Sequence, residues 1–552
     1  MMADHEPPPG HPTLDDYEPT PLEGGAAAKV IDIAGKKSSV RSIREVSKVL
    51  IPLGADLPRI VDRSIEAVAK ANVFQRQGAL VDIVRDATTD ANGVTRPEGS
   101  ARIRLLPAAR LREALAQQAQ FTRQRQTEGG STAVRVPPPR DVVETVQARG
   151  QWPHIRPLTG IAEWPCVRPD GTVLDEPGYD AATRLLYEPS ILVNVPLAPT
   201  ESDARGACVQ LSSLVADFPF AADAHRSAYI AGLLSLLARP AIDGPCPLVL
   251  IDASERGSGK TLLADTIGLI VSGRTLSRRT MPETPEEWKK SLLAIAIAAD
   301  PVILIDNVTR QLRSDALDAV LTGTSYRERV LGRNEELTLD VRTLFIATAN
   351  NASLSPDLVR RALHVRLEGD TERPEARSGF AHPDLRAHIL ERRADYLRAG
   401  LTIVRAYFVA GRPDMKLRPM GSFEAWSKVV RNALVWAGQP DPLETQDALR
   451  ETSDPEQEGL EALLTAWHAV YGERGVSVRN VLADLADPHD PREKELGSAI
   501  SVFCDAEPNK LPSPKKLGSR LRGLRGRIAR GVRFERASGH GEDGVTWRTK
   551  RV

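Results

Sequence analysis

An α/β fold built around a parallel sheet is what this sequence predicts, and three apolar stretches, each ending in a polar residue, predict it. The first, "PLVLID" (247–252), runs through the glycine-rich "ASERGSGKT" into the helical "TLLADTIGLIV" (261–271). The second is "DPVILIDN" (300–307) and the third "TLFIATANN" (343–351). Near-continuous aliphatics mark strands buried on both faces, as a parallel sheet covered by helices requires. Such sheets bind ligands beyond the carboxyl ends of their strands, and that is where Lys260, Asp306 and Asn350 fall.

The whole chain sets the outer bounds. At 552 residues it is longer than one hydrophobic core usually serves, so two to four domains are expected. Lys plus Arg (73) equals Asp plus Glu (73), which leaves local charge to decide about nucleic acid. The start, "MMADHEPPPG", has no basic and apolar leader, and no apolar run is long enough to span a membrane, so a cytoplasmic protein without a membrane partner is expected. Cys166, Cys208, Cys246 and Cys504 are too scattered for a disulfide framework or a zinc site, and read as ordinary thiols.

Composition changes in blocks along the chain. Residues 1–37, rich in Pro, Gly, Ala and acid, read as a disordered tail. From 38 to 127 a small α+β region alternates helical spacing with the strand-like "ALVDIV", and "LPAARLREALAQQAQFTRQR" reads as helix. "TEGGSTAVRVPPPRD" (127–141) reads as a linker, and "RPDGTVLDEPGYDAATRLLYEP" (168–189) as turns between short apolar pieces, whose acids and Tyr179 are more simply solvated than functional. "HRSAYIAGLLSLLARPAI" (225–242) is an apolar helix leading into the first strand.

The glycine-rich turn nearly spells G-x-x-x-x-G-K-[ST], with Ser254 where the first glycine should stand. A phosphate loop aims backbone N–H groups inward through conformations that glycine permits, then ends at a helix N-terminus whose dipole favours anions. Gly257 and Gly259 supply the bends, and Ser254 is tolerated if its φ stays negative. Ser254, Gly257, Ser258, Gly259, Lys260, Thr261 and Leu262 are the candidate nucleotide contacts. Lys260 reaches for phosphate and the Thr261 hydroxyl for Mg²⁺, with Asp306 as the second metal-positioning group. Thr284, Pro285 and Glu287 form a capping box that makes the helix at "TPEEWKK" scaffold.

"SYRERVLGRNEELTLDVRTLF" alternates and turns around Gly332-Arg333-Asn334, which predicts a hairpin with Arg333 at its tip and Arg327 and Arg329 behind. "SPDLVRRALHVRLE" (355–368) offers Arg360 and Arg361 where an arginine acting in trans could reach a neighbour's nucleotide.

Phosphate loop, "ILIDN", basic hairpin, "IATANN" and "LVRR", in that order, resemble the superfamily 3 helicases of the AAA+ class. With "RPDGTVLDEPGYDAATRLLYEP" ahead of them, they resemble more narrowly the prophage and plasmid primase-helicases related to the poxvirus primase-helicase, over roughly residues 150–370. The resemblance implies ATP and Mg²⁺ as cofactors, a homo-hexameric ring hydrolysing ATP between subunits, and single-stranded DNA in the central channel. By motif it implies Asp306 as the Walker B acid, Asn350 as the sensor with Asn351 as second choice, Arg361 as the arginine finger and Arg333 as the pore contact. Asn307 departs from the pattern, because a carboxylate that polarises the attacking water usually follows the Walker B aspartate. Residues 38–240 show no D-x-D on a strand and no zinc-ligand set, so a helicase without its own primase is expected.

The expected layout is an AAA+-like P-loop domain with a parallel sheet (221–370), after a linker and pre-ATPase region (128–220), then a helical region (371–472) and a basic, winged-helix-like domain (473–552). In residues 515–536 nine Lys and Arg stand against one acid, Glu535, an excess suited to a phosphate backbone. Lys515, Lys516, Arg520, Arg522 and Arg525 are the candidate duplex contacts. Two functions follow: an ATP-dependent DNA helicase or translocase replicating a phage, plasmid or other mobile element, or an ATP-gated DNA-binding initiator, regulator or defence protein with little turnover.

Overall fold

In the central sheet, Leu248–Ala253 has every residue buried, and the alternation of its side chains splits the surroundings into two cores. Val249 and Ile251 face one side, against helices Asp223–Leu237, Lys260–Ser272 and Arg393–Val409. Leu248 and Leu250 face the other, against Pro285–Ala298 and Asp315–Thr322. Both faces are therefore apolar, which accounts for the unbroken aliphatic runs. The five strands are all parallel, in the spatial order Arg278–Thr280, Val302–Val308, Leu344–Asn350, Leu248–Ala253, Ala362–Leu367. One strand thus lies between the strand that feeds the glycine-rich loop and the strand that carries Asp306.

This is a computed structural model that describes residues 48–85, 93–127, 130–255, 257–329, 336–369, 377–447, 449, 455–504, 506, 510–541 and 544–552. Val49–Val552 form one compact unit, and the tail expected over 1–37 lies outside the described residues. No described helix is long and apolar enough to cross a membrane. All four cysteines are buried and none forms a disulfide, and burial pushes the Cys166 and Cys208 thiols up to about 12.

Among the described residues, four small sheets precede the central sheet along the chain, two of them within residues 49–136. Val49–Leu53 pairs parallel with Ala119–Thr127, which pairs antiparallel with Gly130–Val136. Phe74–Arg76, Ala79–Arg85 and Ala101–Leu105 form a second, antiparallel sheet, which contains the expected "ALVDIV" strand. Two expectations are corrected here. The helix read into "LPAARLREALAQQAQFTRQR" ends at Gln118, because strand pairing on both edges of 119–127 overrides local helical propensity. The linker read into 127–141 is instead the return strand of a hairpin, and a helix begins at Arg140. The turn acids of 168–189 are structural: Asp170 accepts from the Thr172 amide and hydroxyl, and Asp180 pairs with Arg168 at 3.2 Å.

Beyond the sheet, Arg393–Val409 and the helical stretch 424–436 complete one of the two central cores, so the helical region is not a body apart. Helix Pro455–Tyr471, which the sequence reading groups with that region, packs Leu460, Leu463, Leu464 and Trp467 into the C-terminal core. That core is covered by a four-stranded antiparallel sheet, ordered Val476–Ser477, Gly544–Arg551, Val532–Gly541, Ile528–Ala529, and by helices Val478–Asp484, Pro491–Phe503 and Pro514–Leu524.

Candidate nucleotide site

At the carboxyl end of Leu248–Ala253 the chain turns through 254–259 into helix Lys260–Ser272. Gly257 and Gly259 take left-handed φ of 78° and 86°, while Ser254 is not among the residues with positive φ, so serine in place of the first glycine costs no backbone strain. Gly259 caps the helix with no side-chain hydrogen bond, which leaves its first amides available to an anion. A Cβ at Gly259 would stand 3.1 Å from the Phe218 ring, so the turn is closely backed as well as left-handed. Lys260 Nζ folds over this turn, donating to Ser258 Oγ at 2.9 Å and the Glu255 carbonyl at 3.1 Å. Burial pulls the Lys260 pKa below the usual lysine value, Asp252 opposing the shift and Arg366 adding to it.

The acid strand Val302–Val308 reaches this loop through a bulge. Its register with Leu344–Asn350 slips by one residue between Ile305 and Val308, and Asn307 takes φ 56°. The slip presents Asp306, whose Oδ1 accepts from Thr261 Oγ1 at 3.1 Å and Thr348 Oγ1 at 2.6 Å. Thr348 in turn accepts from the Asn307 amide at 2.8 Å, so the intervening strand fixes both residues of the bulge. Arg278 bridges Asp265, at 2.8 Å, and Asp306 Oδ2, at 3.5 Å. Thr261 and Asp306 are oxygen donors of the type Mg²⁺ takes, and they are already in contact, so the residues present fit that ion.

Asn350 closes the intervening strand, with its side-chain oxygen buried and without a hydrogen-bond partner among the described residues. Burying an acceptor unpaired is costly, which makes this atom a candidate for contact with a ligand. Asn351 differs: it is exposed, left-handed at φ 49°, and engaged through Nδ2 with the Ser254 carbonyl (3.4 Å) and through Oδ1 with Arg366 (3.1 Å). Arg366 also donates to Asp252 at 2.6 Å, and Asp252 accepts from the Ala253 and Ala352 amides. The end of each strand is thereby tied to the start of the loop. Beside the loop lies a cavity of about 450 Å³ lined by Leu262, Phe218, Leu367, Phe380, Ser254 and Arg386.

Thr348, Arg278, Arg366, Asp252 and Phe218 were not among the residues the sequence nominated. An arginine inside the largely aliphatic strand "ALHVRL" is the one signal that points to Arg366.

Other candidates lie elsewhere. Ala362 pairs with Leu248 and Leu367 with Ala253, so Arg361 sits at the end of the sheet opposite the loop and cannot serve its own chain's site. Its guanidinium is bonded to Asp318, and Arg360 to Asp357. Ser325–Arg329 and Glu336–Asp340 pair as the expected hairpin, with exposed Arg327 donating to Glu336 at 2.7 Å; Arg333 lies outside the described residues. Helix Pro514–Leu524 buries Leu517, Leu521 and Leu524 and turns Lys515, Lys516 and Arg522 outward, with Arg525 exposed just beyond it. Arg520 is half-buried with its guanidinium 5.5 Å from the Phe503 ring centre.

No family model matches the chain, and no curated protein matches it. Among solved structures it is similar to the A-form apo structure of the NrS-1 C-terminal region (11% identity, TM-score 0.34, covering 85% of this chain and 96% of that one). It is also similar to an SCCmec type IV Cch active helicase (11%, TM-score 0.29, 87% and 98%) and to a JCV helicase with an acetamide compound bound (14%, TM-score 0.21, 48% and 72%).

Proposed function

We propose that this chain is an ATP-dependent DNA helicase or translocase. The observation that carries the proposal is the 3.1 Å contact between Thr261, at the mouth of a left-handed glycine turn, and Asp306, on a strand two places away in the sheet. A glycine turn alone is commonplace. One whose helix hydroxyl meets an acid from another strand has the two oxygen donors that a Mg²⁺–triphosphate needs.

Lys260 and the first amides of its helix hold phosphate, Thr261 and Asp306 hold Mg²⁺, and Asn350 offers its unpaired oxygen toward the nucleotide or the attacking water. Bound ATP supplies the free energy of phosphate release. Arg361 serves the nucleotide of a neighbouring protomer, which requires a ring; the six-membered ring, the AAA+ assignment and work on a phage, plasmid or mobile element rest on the family resemblance. In this reading Arg327 and Arg333 meet single-stranded DNA in the channel, and Lys515, Lys516, Arg520, Arg522 and Arg525 meet duplex from a winged-helix-like domain.

The test is ATP hydrolysis with and without single-stranded DNA, beside sizing with a non-hydrolysable nucleotide. DNA-stimulated hydrolysis by a nucleotide-dependent ring is expected, and its absence under both conditions rejects the motor. Asn307 favours a second reading, an ATP-gated DNA-binding switch, because it stands exposed where a water-activating carboxylate would be useful. A ring that binds duplex but turns over negligible ATP selects that reading.

A further inference from the structure

Ala119–Thr127 and Gly130–Val136 form a hairpin whose far half has no third strand among the described residues. Its neighbour Val49–Leu53 stops at the pair Leu53 with Arg123, so among the described residues no third strand joins the ladder between 124–127 and 130–133. At about 3.3 Å per residue, the ribbon extends roughly 13 Å past that neighbour. Residues 123–126 and 130–135 are exposed, so this segment buries almost no apolar surface in return for its ordering. Two-stranded ribbons gain little stability alone, which makes a partner the better reason for its shape.

Its chemistry says which partner. Arg123 and Arg125 share one face and Arg135 lies on the other; none has a hydrogen-bond or ion-pair partner among the described residues, and the 119–136 sequence sets a single acid against the three, Glu128, which lies outside the described residues. The exposed remainder is Gln, Ser, Thr, Gly, Ala and Val134, and the one aromatic, Phe121, is buried at its base. Proteins that hold single strands stack bases on exposed aromatics, which this ribbon lacks. A two-stranded ribbon does fit the major groove of B-form DNA, about 12 Å wide. We propose that the ribbon formed by Ala119–Thr127 and Gly130–Val136 docks on duplex DNA, with Arg123, Arg125 and Arg135 neutralising phosphates. The contact is independent of the nucleotide site and separate from the basic C-terminal helix.

The experiment uses the full chain and fluorescence anisotropy with a labelled 25-base-pair duplex and a single strand of the same length, over a salt series. Each phosphate contact adds about 0.9 to the slope of log affinity against log salt, so losing three lowers the slope by up to about 2.7 and weakens duplex binding on the order of 100-fold near 0.15 M salt. R123Q/R125Q/R135Q is expected to show that loss on duplex, with single-strand and nucleotide affinity unchanged; the same factor is expected in a K515Q/K516Q background. Thr132→Lys is expected to tighten duplex binding and steepen its salt dependence. Unchanged duplex affinity and slope in both the triple and the Thr132→Lys variants overturn the proposal. A loss confined to the single strand also overturns it.

Discussion

At the scale of single residues, Lys260 and Asn307 make the sharpest demands. Burial holds Lys260 below the ordinary lysine pKa of 10.5, and only its charged form attracts phosphate. Nucleotide affinity is therefore expected to be full at neutral pH and to fall as pH rises through that lowered pKa, earlier than for an ordinary lysine; titration of a fluorescent ATP analogue from pH 7 to 10 reads it. Asn307 stands left-handed and exposed beside Asp306. Asn307→Glu is expected to raise hydrolysis several-fold with binding unchanged, at a backbone cost of about 1 kcal/mol; an unaltered rate would locate the base elsewhere. The loop and the three polar strand ends were legible in sequence, because each follows an apolar run. Arg278 and Thr348 were not, because a bulge that slips the register by one residue has no periodic signature here.

Among elements, the helical stretch 424–436 shows how a charge can hold packing in place. Arg431, on its π-helical turn, is almost fully buried and donates to both carboxylate oxygens of Asp441 at 2.7 and 2.5 Å, and to the Arg418 carbonyl at 2.6 Å. Removing one partner of a buried pair costs about 3–5 kcal/mol, so Arg431→Leu is expected to lower stability by that order in chemical denaturation. Burial pushes the Asp441 carboxyl up, but the Arg431 hydrogen bonds outweigh it and hold the pKa below the usual 3.8. The pair's contribution is then present above that value and lost as pH falls through the lowered one, so acid unfolding of the wild type should contain a step that Arg431→Leu lacks. Capping chemistry was readable locally, and the Thr284–Glu287 box forms as expected. The strand at 119–127 was not readable, since its partners lie some seventy residues upstream as well as in the adjacent return strand.

Across the whole molecule, Arg361 lies at the end of the sheet opposite the loop, so its proposed role in hydrolysis requires a second protomer's nucleotide. Lys260→Ala and Arg361→Ala chains are each expected to be inactive alone, and a mixture to recover a fraction of wild-type hydrolysis at interfaces that combine an intact loop with an intact arginine. A mixed assembly without recovery contradicts a role in trans. The α/β class and the parallel sheet were legible from aliphatic runs alone. The sharing of one core by the sheet and by helices as distant as Arg393–Val409 was not, because composition changes along a chain while packing ignores sequence distance.

The proposed function depends most on Thr261 and Asp306 acting together around a metal-bound triphosphate, and equilibrium binding of a non-hydrolysable ATP analogue, with and without Mg²⁺, tests that directly. Wild type is expected to bind more tightly with Mg²⁺, Asp306→Asn to lose that gain while keeping its metal-free affinity, and Lys260→Ala to lose roughly 10- to 150-fold in both conditions, as for hydrogen bonds to a charged group worth about 1.5–3 kcal/mol. An Asp306→Asn chain that keeps the full Mg²⁺ effect would contradict the account.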